Sequence, residues 1–136
     1  MANAIYPAFK EALLNKEHDL NTDAIKATLI DSLDYTYGAG HTTYADATVP
    51  AAAKVAVSAA LGSPTIALGV FDCADFSWTT VTGDQCEAVI LWNDTPTTPT
   101  ADPLIAFYDT SMTGMPVTPS GGNINFAVNA SGFFAL

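Results

Sequence analysis

IALGVF (66–71), DFSWTTVT (75–82), CEAVILWN (86–93), LIAFYD (104–109), NINFAV (123–128) and GFFAL (132–136) are short apolar or alternating runs, separated by breaks rich in Gly, Pro, Asp, Asn or Thr. Runs of this length bounded by turn formers read as β-strands, and their succession predicts an antiparallel sandwich or barrel. No helical pattern lies between consecutive runs, so βαβ crossovers and a parallel sheet are disfavoured.

Two further runs precede these. AKVAVSA (53–59) alternates, and DAIKATLID (23–31) places Ile25, Ala27 and Leu29 on one face with Lys26, Thr28 and Ile30 on the other, which predicts a strand with a mostly buried inner face. Residues 5–15 are helix-like, because Ile5, Phe9 and Leu13 recur four apart and Pro7 is tolerated in a first turn. The expected fold is mainly β: an antiparallel β-sandwich or jelly-roll-like domain of about eight strands, with one short N-terminal helix, spanning 1–136 as a single domain. The Thr/Pro tract at 94–103 cannot extend a central strand, since Pro96, Pro99 and Pro103 lack the N–H donor.

Residues 32–52 fit neither period. They carry Gly38, Gly40, His41, Tyr35, Tyr37, Tyr44 and Pro50, and so long an irregular stretch is uncommon in a compact domain. It reads as a binding loop, a partner-contacting arm, or an ordered surface loop whose tyrosines pack onto the domain; the last is preferred.

The bulk numbers limit the function classes. Fourteen Asp and Glu stand against four lysines and no arginine, so nucleic acid is an unfavourable partner and bidentate clamps for phosphate or carboxylate are absent. No apolar run reaches membrane-spanning length and no basic leader opens the chain, so neither a membrane nor export is expected, and synthesis in a cytoplasm follows. Cys73 and Cys86 lie at the mouths of neighbouring predicted strands; reduced structural thiols are preferred, with a disulfide left open.

No motif names a reaction. His18 and His41 are the only candidate imidazole bases, and neither stands beside a recognisable nucleophile motif. Asp72, Asp75, Asp84 and Glu87 sit at strand ends, where Asp is a common turn former, and the spacings of Asp, Cys and His match no usual calcium or zinc site. Trp78, Trp92, Phe76, Phe107 and Phe126 fit core positions better than a sugar-stacking platform. No enzyme activity and no cofactor are therefore expected.

Several blocks together carry a resemblance: MANAIYPAFKEALL (1–14), DAIKATLID (23–31) followed by YTY (35–37), GVFDCADFSWTTVTGDQCEAVILWNDT (69–95) and LIAFYDTSMTGMPVTPSGGNINFAVNASGFFAL (104–136). In their order they resemble a group of small tailed-bacteriophage proteins encoded among virion genes. The resemblance implies a virion structural protein, foremost a capsid decoration or cement protein on the outer shell, with a tail or fibre component as the rival; outside that context the alternative is a carbohydrate-binding or hydrolytic β domain. The implied partners are the major capsid protein and further copies of the chain, as a trimer or another small homo-oligomer. Candidate contact residues are Ile5, Tyr6 and Phe9, the loop tyrosines Tyr35, Tyr37 and Tyr44, and Phe133, Phe134 and Leu136.

Overall fold

The computed structural model describes residues 3–95, 102–109 and 114–136. Residues 96–101 of the Thr/Pro tract lie outside the described residues. The architecture is mainly β and antiparallel, with one α-helix among the described residues. Its elements are β1 (Ala4–Ile5), α1 (Pro7–Leu14), β2 (Ile25–Ile30), β3 (Lys54–Val57), β4 (Thr65–Ala67), β5 (Val70–Asp72), β6 (Phe76–Trp78), β7 (Ala88–Asn93), β8 (Leu104–Tyr108), β9 (Ile124–Phe126) and β10 (Phe134–Ala135). Ten strands replace the expected eight for two reasons: Ala4 and Ile5 pair with Phe107 and Ala106 instead of joining the helix, and IALGVF is a hairpin.

That hairpin turns at Leu68 and Gly69, with φ of 51° and 80°. Two consecutive left-handed residues make the tight turn whose twist matches antiparallel strands, a geometry normally given to Asn-Gly or Gly-Gly. A leucine there is strained by roughly 1–2 kcal/mol.

The large sheet has the order β1-β8-β7-β2-β3, while β10-β5-β4 and β6-β9 form two smaller sheets. The expected second layer is thus divided. Register assigns the faces of the large sheet: Ala27, Leu29, Val89, Leu91, Ala106 and Tyr108 share one, and Thr28, Ile90, Trp92 and Phe107 share the other. The first face meets the small sheets, where the Trp78 indole N–H donates to the Ala27 carbonyl at 3.0 Å and the Tyr108 hydroxyl donates to the Phe133 carbonyl at 3.0 Å. The Phe76, Trp78, Phe126 and Phe133 rings interlock there, with centroids 5.0–6.2 Å apart.

The opposite face is covered by the irregular segment 32–52. Tyr44 stacks on Trp92 at 4.1 Å, and Tyr35 and Tyr37 lie against Phe107 at 6.2 and 5.6 Å. The Thr28 hydroxyl joins the two layers: it accepts from the Trp92 indole N–H at 2.9 Å and is hydrogen-bonded to the Tyr44 hydroxyl at 2.8 Å. Because both faces are sealed, β7 and β8 are buried along their whole length and read as continuous apolar runs. Thr28 and Ile30, placed by alternation on the outer face of their strand, are fully buried for the same reason.

This arrangement corrects most of the expected contact set. Tyr6, Phe9, Tyr35, Tyr44 and Phe134 are buried in the chain's own core. Tyr6 is fixed further by its hydroxyl, 2.8 Å from that of Tyr35, which in turn lies 2.9 Å from His41 Nδ1. Ile5, Tyr37 and Phe133 are half-buried against the core. Leu136 alone among the nine candidates is exposed, at 64%. The three loop tyrosines belong to an ordered covering layer, not to an arm.

Candidate functional site

The candidate site starts where α1 ends. Its C-terminus is closed by paired reverse bonds, Lys16 N–H to Leu13 O at 3.1 Å and Glu17 N–H to Ala12 O at 2.9 Å, with Lys16 left-handed at φ 63°. This is the turn usually ended by glycine, and it reverses the chain so that His18 folds back against Phe9, with ring centroids 5.0 Å apart. Asp19 then orders the following loop, its side chain accepting from Asn21 N–H at 3.1 Å and its carbonyl from Asp23 N–H at 2.8 Å.

His18 is nine-tenths buried, and the tautomer of its neutral ring is set by Asn93. Asn93 Oδ1 accepts from Thr95 N–H at 2.9 Å, which orients the amide. Its Nδ2 then donates to Asp23 Oδ2 and to His18 Nδ1, both at 2.8 Å. With Nδ1 accepting, the neutral ring carries its proton on Nε2. Among the described residues, His18 Nε2 is the one buried side-chain nitrogen or oxygen without a hydrogen-bond partner. Leaving such a donor unsatisfied costs about 1–3 kcal/mol.

Beside His18 opens a groove of about 410 Å³ between the end of α1, the β4–β5 hairpin and β10. Leu13, Leu20, Ile66, Phe71 and Leu136 give it an apolar lining, and the exposed Lys16 and Asp19 add one charge of each sign. The hairpin tip stands next to it: Gly69 lines the groove, while Leu68 is fully exposed. Ile66, at 47% exposure, and Leu136 continue the apolar patch. The left-handed Gly132, φ 108°, lets Phe133 N–H reach Phe71 O at 2.7 Å and so sets β10 against β5.

The other groups with chemical potential are tied into the frame. Cys73 and Cys86 are free and buried, and burial first, then neighbouring carboxylates, pushes both thiols up to about 12. At neutral pH they are protonated and poor nucleophiles. Trp78 and Trp92 are buried and present no platform for a sugar. Asp75 accepts from Val128 N–H and Glu87 from Ser32 N–H, at 2.8 and 3.0 Å, so these carboxylates hold turns. Among the described residues no three His, Cys, Asp or Glu side chains gather to hold a metal ion. No helix among them is long and apolar enough to cross a membrane.

Comparison with models of known protein families finds no match, and a search of curated proteins likewise finds none.

The buried His18 makes stability depend on pH. Burial lowers its proton affinity from the ordinary value of 6.5, opposed by the nearby Asp23 and Glu17 carboxylates. Between the lowered value and the ordinary one, the unfolded chain binds a proton that the folded chain refuses. Stability therefore rises with pH across that window and is lost as pH falls through it. The urea midpoint of the parent is expected to fall as pH drops below the ordinary histidine value of 6.5, and His18→Gln, with no proton to gain, is expected to lose that part of the fall. Parallel pH profiles for the two proteins would refute the assignment.

Sequence reasoning weighed His18 only as a catalytic base and Leu68 only as part of a strand. A glycine inside the apolar run 66–71 was the available signal for the hairpin tip. For His18 there was none, because its orphaned N–H exists only once Asn93 is folded against it.

Proposed function

We propose that this chain is a structural protein of a bacteriophage virion, binding the outer capsid shell as a decoration protein and stabilising contacts between shell subunits. The observation that carries this reading is the contrast between its interior and its surface. Its histidines, cysteines and tryptophans serve the frame, whereas Leu14, Leu33, Leu68 and Leu136 stand exposed on a chain of net charge −10. Exposed leucines on a closely packed β frame suit adhesion. The acidic surface favours the outside of a shell over contact with packaged DNA. On a repeating lattice, many identical weak contacts add up without any one being strong. The sequence resemblance supplies the virion context.

The test is the copy number and position of the chain in intact particles, by quantitative mass spectrometry and image reconstruction. A decoration protein is expected on the outer surface in fixed proportion to the major shell protein. A few copies at one vertex or along the tail would replace this reading with a tail component, and absence from particles would end both.

A further inference from the structure

We propose that the groove beside α1 is a self-association surface, in which the Leu68–Gly69 hairpin tip of one copy enters the groove of a second copy and receives that copy's tip in return. The inference deepens the decoration reading and rests on it only in supposing that the chain acts as a small homo-oligomer. Three observations converge on it.

The first is the tip itself. Leu68 is fully exposed and held at φ 51°, although Asn or Gly at that position relieves the strain and removes an apolar side chain from water. Two local costs at one residue are accounted for if the side chain is covered in the working state. The second is the hole. The groove has an apolar lining. An apolar side chain suits it, and a hairpin tip that carries a fully exposed leucine is such an occupant. Because Gly69 is part of the lining, knob and hole lie on one patch, which is the requirement for a two-fold contact in which the same surface serves both copies.

The third observation is charge. Two chains of net charge −10 repel wherever their acidic surfaces meet, so contact is favoured where the local charge cancels. Lys16 and Asp19 cancel at this groove, and Lys16 makes no ion pair among the described residues.

Sedimentation velocity over a range of protein and NaCl concentrations tests this with three proteins: the parent, Leu68→Asn and Leu33→Asn. The parent is expected to show a reversible monomer–dimer equilibrium that strengthens with salt, since screening weakens the repulsion between like-charged copies. Leu68→Asn is expected to dimerise at least about tenfold more weakly while unfolding at the same temperature as the parent or higher. That thermal readout separates a lost contact from a damaged fold. Leu33→Asn removes an equally exposed leucine elsewhere and is expected to leave dimerisation unchanged. A parent that stays monomeric, association that continues past the dimer, or a Leu68→Asn protein that dimerises like the parent would each overturn the proposal. A monomeric chain still present in shell proportion would sink the dimer and leave the decoration reading standing; a dimer absent from particles would do the reverse.

Discussion

Trp78→Ala is expected to lower unfolding free energy by about 3–5 kcal/mol, most of the margin of a marginally stable domain. Trp78 is 1% exposed and is wedged between the two-stranded β6–β9 sheet and the large sheet. Its ring packs at 5.1 Å from Phe76 and 6.2 Å from Phe126, and its indole N–H reaches the Ala27 carbonyl on the facing strand. Truncation opens a cavity between the layers that Trp92, on the other face of the large sheet, does not fill. Trp78→Phe separates packing from hydrogen bonding. It retains an aromatic ring, and the Ala27 carbonyl still accepts from Ser58 N–H, so the expected loss is about 1–2 kcal/mol. Urea unfolding of the three proteins measures both. A loss below about 1 kcal/mol for the alanine variant would mean that the small sheet is not anchored through this residue.

Thr28→Val should cost about 2–4 kcal/mol despite nearly unchanged shape, because the cost lies in polar groups left behind. The Thr28 hydroxyl is the partner of both the Trp92 indole N–H and the Tyr44 hydroxyl, and all three residues are buried. Valine fills the same space and satisfies neither. Thr28→Ser keeps the oxygen and should recover most of the loss. The damage should also be local: backbone amides around Tyr44, in the covering segment, should exchange faster with deuterium than those of β7. Equal stability of the valine and serine variants would show that the hydroxyl is not what fastens this layer.

These two sites mark what the sequence could and could not disclose. The strands were legible because a pleated chain bounded by turn residues has a period of its own, and all the quoted runs contain a strand. What failed was coverage. Alternation in 23–31 separates two faces, but only the tertiary layer containing Tyr44 decides that Thr28 is as buried as Leu29. The four-residue spacing of Ile5, Phe9 and Leu13 is equally compatible with a helix beginning at Pro7 and a bridge to β8 before it, and the Ala4–Phe107 pairing selected the second. Aromatic residues invited an interface reading for Tyr6, Phe9 and Tyr35 because composition does not say whether a large ring is covered by its own chain or by another. The groove, by contrast, is assembled from α1, the hairpin and β10, and no single stretch of sequence contains it.

The strand order of the large sheet bears on how the protein survives at high local concentration. AVILWN (88–93) has no charge and no proline, and is the kind of segment that stacks into fibrils when it is left unpaired. Here it forms β7, flanked on both sides by β8 and β2. The outermost positions go instead to β1, only two residues long, and to β3, which begins with a lysine and faces a register shift between Leu29 and Ile30. Short, charged or irregular margins are poor templates for runaway cross-β growth. Once folded, copies can crowd together while this segment stays paired on both sides.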